Sequence, residues 1–439
     1  MRKYLYSLLL LTCTVALTAQ NFVSVSGKAT QLPSPSGGVD YVFIFADLSD
    51  AEIKTTANAN WYIYNENDST LVQSGVDYLY PEDNTGYIVS DGTNRVLFWV
   101  IDYSKYRLTL RNLNVDYNYN SRCEFTQLLL DADIPQMSYK TLDGRVRKID
   151  RECIITFNSL AWGGEQWQDS LCTEEHTLQN TMVVGAPLQN TTFTVSADQF
   201  AEALGFTKDS LQTDIYQAIA VAAHPTTLTT VRGTESENQR TNELERPIET
   251  TQLEGSAPLD ILFRANANIP ITQYYQWRIY RGTELIVQRT DDEHRYTFDN
   301  YGEYRVVLVV SNDYCESDSM EINVSVALSQ LLVPNVFTPN GDGQNDEFRV
   351  SYRSIIEFEC WVYNRWGKLV YHWTDPAKGW DGNINGRPAA EGAYYYVIRA
   401  RGADAEAGAK YHKATKKNPM SVGVYQLSGD INLIRGSNK

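Results

Sequence analysis

The chain has 439 residues and a net charge of −16, from 38 basic and 54 acidic side chains. This acidic balance argues against a general nucleic-acid binder and favours a soluble, self-repelling surface. Tyr, Val, Thr and Trp are frequent between many Asn, Asp and Gly residues, a composition that favours short strands over helices. By length, the chain is expected to contain about three or four domains.

The first residues predict export. Arg2 and Lys3 form a positive start, and residues 4–17 form an apolar stretch that is too short to span a bilayer. Small residues follow, so residues 1–19 are interpreted as a secretory signal peptide. Lipidation at Cys13 is a less favoured alternative. No later segment is apolar enough to predict a direct membrane span.

A pattern of four apolar blocks occurs twice in the remainder of the chain. The first copy reads VDYVFIFA, WYIY, LVQSG and RVLFWVIDY, and the second reads LDILFRA, WRIY, IVQRT and RVVLVVSNDY. A strand whose odd- and even-numbered residues are both apolar is typical of a position in which both faces of the sheet are buried. A Trp in a neighbouring strand is typical of an immunoglobulin-like sandwich. The first copy therefore predicts an immunoglobulin-like β-sandwich over residues 20–119.

The second copy resembles the PKD-like branch of the sandwich superfamily in the run YTFDNYGEYRVVLVVSN. Tyr304 stands where the buried strand begins, which predicts a tyrosine corner that ties a loop to the backbone. No cysteine accompanies Trp277, in keeping with a branch that lacks the inter-sheet disulfide. We assign residues 256–328 to a PKD-like β-sandwich, a resemblance that specifies fold but hardly function.

Between the copies, residues 120–232 predict a less regular, β-rich domain with one short helix. The helix is expected to begin at a capping box formed by Ser196 and Gln199, and to end before Gly205. Residues 233–255 are polar and contain no aromatic side chain, so they are predicted to be a linker.

The expected mature chain has an odd number of cysteines: Cys123, Cys153, Cys172, Cys315 and Cys360. An odd number leaves at least one thiol free or paired with another chain. The pair that we predict is a disulfide between Cys153 and Cys172.

No catalytic constellation is visible in the sequence. The histidines are scattered, and the chain contains no HExxH, GxSxG, CxxC or GxxxxGK[ST] motif. We therefore expect no enzyme activity, no catalytic residues and no cofactor. Two alternatives stay open. Trp162 and Trp167 could form an aromatic platform for a sugar, although structural roles are favoured, and a hydrolase could lie within residues 120–232.

The segment VFTPNGDGQND contains side-chain oxygens at a spacing related to that of calcium loops. With Gly343 at the sixth position, Thr338 would be the first ligand and Arg349 would replace the bidentate acid. A full calcium cage is therefore disfavoured, and a turn is the preferred interpretation because Asn-Gly and Asp-Gly tolerate positive φ. The alternative is a lone cation at Asn340, Asp342 and Asp346.

The C-terminal part of the chain contains five motifs: FTPNGDGQND, YNRWGKLVY, WDG, EGAYYY and LIR. Alternating apolar residues and turn glycines predict a small antiparallel sandwich. The order and spacing of the motifs resemble the gliding-motility-associated C-terminal domain of Bacteroidota, the type B sorting domain of the type IX secretion system. We assign residues 329–439 to such a domain. The matching residues are Phe337, Thr338, Pro339, Asn340, Gly341, Asp342, Gly343, Asn345, Asp346, Tyr363, Asn364, Arg365, Trp366, Gly367, Trp380, Asp381, Gly382, Gly392, Tyr394, Tyr396 and Arg435.

This resemblance implies an all-β exported protein in which tandem immunoglobulin- or PKD-like sandwiches precede a small β-sandwich sorting domain. It also implies recognition by the type IX secretion machinery and docking on a PorP/SprF-like outer-membrane β-barrel. The expected role is a non-catalytic structural component of the secretion or gliding machinery, at the cell surface or outer membrane. The alternative is a surface adhesin or glycan-binding protein that uses its sandwich domains.

Four Asp-Ser triplets resemble the O-glycosylation acceptor pattern of the same bacterial phylum. They predict modification at Ser69, Ser170, Ser210 and Ser319.

Overall fold

A computed structural model describes residues 22–33, 35–66, 68–229, 252–406 and 422–435. The predicted signal peptide (1–19) and most of the predicted linker (233–255) lie outside these ranges. The described chain is almost entirely β-structure, arranged as tandem sandwiches, so the predicted fold class is confirmed. It divides into two compact units, one formed by residues 1–159 and 169–217 and the other by residues 160–168 and 218–439.

The first unit begins with one seven-stranded sheet. Its strands are β1 (Val23–Ser26), β2 (Ala29–Gln31), β3 (Tyr41–Phe45), β4 (Glu52–Asn65), β5 (Asp68–Leu79), β6 (Thr85–Ser90) and β7 (Arg95–Asp102). Their order is β1-β4-β6-β7-β3-β2, with β5 on the long strand β4. The β3–β7 pair is parallel, and the other pairs are antiparallel.

Both faces of this sheet are buried, as the apolar sequence of β7 predicts. Phe98 and Val100 join one cluster around Trp61, whereas Trp99 and Ile101 join a second cluster on the opposite face. The second face is covered by side chains from residues 137–149 and 200–204. A strand with two covered faces can be apolar at every position, because neither set of side chains contacts water.

The second part of this unit is a sandwich of a four-stranded and a three-stranded sheet, β13-β12-β15-β16 and β14-β9-β8, with a β10–β11 hairpin. Its helix is α1 (Gln199–Ala203). The strands are β8 (Thr109–Val115), β9 (Phe125–Asp133), β10 (Ser138–Lys140), β11 (Val146–Lys148), β12 (Glu152–Trp162), β13 (Trp167–Thr177), β14 (Thr181–Gly185), β15 (Thr194–Ala197) and β16 (Asp209–Gln212).

The one predicted helix is present, but its cap differs from the prediction. The Asp198 carboxylate accepts the N–H of Ala201 at 2.9 Å, and Gly205 follows the helix with φ +74°. Ser196 lies instead in β15, opposite Ser210 of β16. The predicted capping box failed because β15 extends to Ala197, which leaves Ser196 in the strand and Asp198 as the N-cap residue.

A hydrogen bond to a buried ion pair connects the two parts of the first unit. Arg151 Nε lies 3.4 Å from Asp198 Oδ2, and the two side chains are only 3% and 0% exposed. The Tyr103 hydroxyl donates to Asp198 Oδ1 at 2.9 Å from a 3-10 helix (Tyr103–Tyr106) that directly follows β7. Removing one member of such a pair leaves an uncompensated buried charge, which costs about 3–5 kcal/mol.

The second unit begins with a sandwich of two sheets, β17-β19-β22 and β18-β24-β23-β20-β21. The strands are β17 (Thr226–Thr229), β18 (Gln252–Gly255), β19 (Leu259–Arg264), β20 (Tyr274–Arg281), β21 (Glu284–Arg289), β22 (Glu293–Phe298), β23 (Gly302–Ser311) and β24 (Met320–Val326). Trp277 is 1% exposed and lies 5.8 Å from Phe263, centroid to centroid. The Tyr304 hydroxyl donates to the Asn300 carbonyl at 2.7 Å, which confirms the predicted tyrosine corner.

The boundaries of this sandwich differ from those predicted. Residues 218–229 belong to it, because β17 pairs with β19 and because Asn268 bonds to the backbone of Ala220 and Ala222. The last four residues of the predicted linker form β18, which pairs in parallel with β24. A short strand in a polar context carries too little apolar sequence to be recognised before its partner is known.

The C-terminal domain contains a five-stranded sheet ordered β26-β33-β32-β28-β29, and two small two-stranded sheets, β25–β27 and β30–β31. Trp380, Phe337 and Phe348 lie in its core. The strands are β25 (Gln330–Leu332), β26 (Val336–Phe337), β27 (Ser351–Arg353), β28 (Ile355–Tyr363), β29 (Leu369–Trp373), β30 (Asn383–Ile384), β31 (Arg387–Pro388), β32 (Gly392–Gly402) and β33 (Val424–Leu433).

The predicted Cys153–Cys172 disulfide is wrong, because both thiols are free. Cys153 lies near the start of β12 and contacts Met182, whereas Cys172 lies in the middle of the next strand of the antiparallel sheet. In an antiparallel hairpin the start of β12 lies beside the end of β13. Cys153 is therefore closer to the end of β13 than to Cys172. Burial raises the pKa of Cys153 to about 11, so this thiol stays protonated. Cys123 and Cys315 are each disulfide-bonded.

Candidate functional site

The motif residues of the C-terminal domain form a connected set of loops and strand ends. In the loop after β26, the Asp346 carboxylate accepts three backbone N–H groups. Oδ1 accepts from Asn340 at 3.0 Å and from Gly341 at 2.7 Å, and Oδ2 accepts from Gly343 at 2.7 Å. Gly341, Gly343 and Asn345 all have positive φ, which turns these N–H groups inward.

This geometry accounts for the Asp346 carboxylate without a cation, because both of its oxygens accept backbone N–H groups. The lone cation at Asn340, Asp342 and Asp346 stays an alternative interpretation. Asp342 Oδ2 accepts the Asn340 side-chain amide at 2.9 Å, and Asp342 Oδ1 accepts the N–H of Gln344 at 2.8 Å. The polar side chains thus stabilise the loop itself.

Arg435 joins this loop to two others. Its guanidinium donates to the carbonyls of Gly382 at 2.8 Å, of Pro339 at 3.3 Å and of Ala389 at 3.4 Å. Gly382 is buried and has φ +76°, and a Cβ there would lie 3.0 Å from Pro339 and 3.1 Å from Arg435. The LIR, WDG and FTPNGDG motifs therefore meet at one guanidinium.

The aromatic motif residues pack under these loops. Trp380 is fully buried, donates its indole N–H to Asn383 at 2.8 Å, and lies 4.9 Å from Tyr394 and 5.4 Å from Phe337 between ring centroids. Asp381 caps the following turn by accepting the N–H of Asn383 at 2.9 Å. These residues explain why the domain needs the WDG motif: it supplies a core side chain, a cap and a tight turn.

Tyr394 forms a second tyrosine corner that the sequence analysis missed. Its hydroxyl donates to the Ala390 carbonyl at 2.9 Å. Gly392 stands two residues before it with φ +132°, as Gly302 with φ +144° stands two residues before Tyr304. The shared Gly-x-Tyr spacing is the signal that could have identified it. Tyr396, on the same face, packs against Phe348 at 5.7 Å.

The YNRWG motif closes the hairpin between β28 and β29. Asn364 Oδ1 accepts the N–H groups of Trp366 at 3.1 Å and Lys368 at 3.0 Å, while Gly367 supplies a positive φ of +75°. The Arg365 guanidinium lies 5.2 Å from the Trp366 ring centroid. The Trp366 residue is 79% exposed, so this indole is held in place at the surface of the domain.

The C-terminal domain is joined firmly to the sandwich that precedes it, formed by β17–β24. Ser354 is fully buried, and its hydroxyl donates to the Ala327 carbonyl at 2.6 Å and accepts the N–H of Ala257 at 3.2 Å. Ala403 packs into the sandwich core, and its carbonyl accepts the N–H of Tyr301 at 3.0 Å. The two domains are therefore parts of one compact unit.

The Trp pair considered as a sugar platform is engaged in packing. Trp167 donates its indole N–H to the Asn266 carbonyl at 2.8 Å. Trp162 lies 5.6 Å from Trp167 in an edge-to-face arrangement and 4.7 Å from the His224 ring. The two indoles do not present one flat surface. These contacts lie within the second unit, to which residues 160–168 belong.

The predicted glycosylation serines lie at accessible positions. Ser69, Ser210 and Ser319 are exposed, and Ser170 is half-buried. Modification at these four residues stays a prediction.

Two broader features concern membranes and metals. The part of the chain that the structure describes contains no helix with the length and apolar character needed to cross a bilayer. Within the same residues, no group of three or more His, Cys, Asp and Glu side chains is placed to hold a metal ion.

The fold and the linked motifs define a modular all-β protein with a specialised C-terminal sandwich. Two family models match it: CHU_C Type IX secretion signal domain over residues 331–415, and Fibronectin type III domain over residues 114–213. The chain thus carries a type IX secretion signal domain, which implies secretion, and residues 114–213 match a fibronectin type III domain. No curated protein matches the chain.

Solved structures with local likeness include dimeric latent PorU from Porphyromonas gingivalis, at 8% identity and a TM-score of 0.16, covering 77% of this chain and 35% of that chain. The FN1-FN3 domains of chicken CNTN1 match at 9% identity and a TM-score of 0.21, covering 75% and 97% respectively. Escherichia coli alpha-2-macroglobulin activated by porcine elastase matches at 8% identity and a TM-score of 0.16, covering 93% and 44%. These scores are too low to support an argument about function.

Proposed function

We propose that this protein is a non-catalytic surface protein that the type IX system exports through its C-terminal domain. After export, the domain docks on a PorP/SprF-like outer-membrane β-barrel, where the protein is a structural component of the secretion or gliding machinery. The observation that carries the proposal is the match of residues 331–415 to the secretion signal domain, together with the ordered contacts that join its motifs.

The upstream architecture supports a structural role. Neighbouring domains are connected by buried contacts within each unit: the Tyr103 bond to the Arg151–Asp198 pair in the first unit, and the Ser354 hydrogen bonds in the second. Such contacts limit motion between neighbouring domains. Domains that are joined firmly within each unit suit a subunit that holds a fixed position on a membrane partner.

The first test is export. In a host with a type IX system, a chain that lacks residues 331–439 should stay inside the cell envelope, whereas the full chain should reach the surface, as measured by protease accessibility on intact cells. The matched control is the full chain carrying Tyr80→Ala, an exposed aromatic change outside the domain. Surface delivery of the truncated chain would contradict export through this domain.

The second test is docking. Affinity purification of the tagged full chain from solubilised outer membranes should recover a PorP/SprF-like barrel protein in comparable molar amount. Recovery of no barrel protein would contradict the docking part of the proposal while leaving export intact.

A further inference from the structure

The outer face of the C-terminal sheet carries a continuous row of apolar side chains. The antiparallel register places Tyr363 opposite both Leu369 and Tyr395. Two residues away on the same strands, and therefore on the same face, Trp361 lies opposite Val397. Residues directly opposite one another in an antiparallel pair project from the same face. We call these five residues and Trp366, in the adjoining turn, the outer patch.

The outer patch is on the side of the sheet away from the core. The alternate residues of the same strands, including Phe358, Val362 and Ile398, are buried in the core cluster. By contrast, Trp366 is 79% exposed, Tyr395 49% and Leu369 47%. Contiguous exposed apolar surface of this kind typically marks an interaction site.

The patch has a positively charged rim. Arg365 stacks on Trp366, Lys368 follows in the same turn, and the Arg399 guanidinium lies 5.6 Å from the Trp361 ring centroid. Residues 331–439 as a whole have 14 basic and 11 acidic side chains, whereas residues 1–330 have 24 and 43. The net charge is therefore +3 in the C-terminal part and −19 in the remainder. A partner that engages this domain gains from acidic groups around its binding groove.

We propose that the outer patch is the surface by which a protein of the type IX export machinery recognises this chain, with Trp366 as its central anchor. The inference rests on the proposed function. The partner would present an apolar groove for the indole and acidic side chains for Arg365 and Lys368. Trp and Arg are among the residue types that contribute most to the binding energy of protein–protein interfaces. A protein is favoured over an anionic lipid surface because Glu359 and Asp430 also lie on this face.

The test uses the full chain in a host with a type IX system. Trp366→Ala, Tyr395→Ser and Lys368→Glu should each lower the surface-delivered fraction, with Trp366→Ala giving about a tenfold loss or more. Leu332→Ala is the matched control within the domain, because Leu332 is 56% exposed but lies on β25. Thermal unfolding of each purified variant should be unchanged, since the substituted side chains are exposed or half-exposed.

Photo-crosslinking from position 366 identifies what occupies the patch. A covalent adduct with a protein of the export machinery, lost when Lys368→Glu is added, would support the proposal. Adducts with lipid alone, or with a second copy of the chain, would overturn it. Full export of Trp366→Ala, while removal of residues 331–439 abolishes export, would also overturn it and leave the proposed function standing. Export without residues 331–439 would refute the proposed function itself.

Discussion

The first sheet and the sandwich of β17–β24 share one five-strand arrangement. The order β3-β7-β6-β4-β5 in the first corresponds to β18-β24-β23-β20-β21 in the second. The first pair in each order, β3–β7 or β18–β24, is parallel, and the other three pairs are antiparallel. Of the four repeated sequence blocks, the Trp strand and the strand after it, β4–β5 and β20–β21, therefore correspond in structure.

The Trp-containing hairpin is the part that the two regions share most closely. Trp61 lies opposite Gln73, and Trp277 lies opposite Arg289, each twelve residues further along the chain. Each indole N–H donates to a backbone carbonyl at 3.1 Å, that of Val76 or that of Asp291. Local spacing within a hairpin is enough to reproduce both the register and the buried Trp.

The fourth apolar block does not correspond between the two regions. In the first sheet this block is β7, which is separated from the Trp strand by β6, whereas in the second it is β23, which pairs directly with the Trp strand. The first apolar blocks, β3 and β19, differ too. Strand β19 lies in the three-stranded sheet β17-β19-β22, and β18 occupies the position that corresponds to β3. Apolar composition thus reports burial of a strand and does not identify its position in the sheet.

The largest expected effect tests the shared hairpin. Trp61→Ala and Trp277→Ala should each destabilise their own unit by about 3–5 kcal/mol, because each removes a fully buried indole. Calorimetry of the full chain should show the corresponding transition lowered by roughly 10 °C. Conservative Trp→Phe variants should lose less. A large loss of stability for only one of the two Trp→Ala variants would contradict the correspondence between the two hairpins.

The next effect tests the second buried face, which distinguishes β7 from β23. Ile101 is 1% exposed and packs in the second cluster of the first sheet, so Ile101→Ala should cost about 2–4 kcal/mol. Val309 of β23 is only half-buried, and Val309→Ala should cost about 1 kcal/mol or less. Chemical denaturation measures both. Equal losses would mean that the two strands have equivalent surroundings.

A smaller effect is expected at the tyrosine hydroxyls. Tyr304 donates to the Asn300 carbonyl, whereas Tyr87 in the first sheet accepts the N–H of Glu82 at 2.9 Å. Tyr304→Phe and Tyr87→Phe should each cost about 1 kcal/mol, since each leaves one backbone group without its partner. The same change at Tyr394 tests the second corner. A neutral Tyr304→Phe would show that the corner does not stabilise the sandwich.

The smallest effect is a pH dependence confined to the second region. Partial burial and the nearby Arg289 lower the pKa of His294, and Asp291 opposes them weakly. The unfolded chain therefore binds a proton more readily, so stability should fall as the pH drops below about 6.5 and should level off below the folded-state pKa. His294→Gln should flatten this slope between neutral and mildly acidic pH. Residues 22–115 contain no histidine, so their sheet lacks this contribution. An unchanged slope in His294→Gln would assign the effect elsewhere.

Much of the C-terminal domain was predictable because its signals are local. Turn glycines, Asn and Asp caps and alternating strands are each encoded within a few residues, as in the Asn364 turn and the Asp346 loop. The contacts of Arg435 were not predictable in this way. Its partner Pro339 is 96 residues away in sequence, and only the completed sheet brings the two together.

The sequence by itself determined the strand-rich class, the Trp hairpins, the tyrosine corner at Tyr304 and the ordered motifs of the sorting domain, because periodicity and turn chemistry act over short distances. The tertiary structure alone decided which strands are neighbours, that Cys153 and Cys172 stay apart, and that Asp346 binds backbone N–H groups. It also decided which motif residues are buried and left Trp366 at the surface. These outcomes depend on pairing between distant segments, which local spacing does not encode.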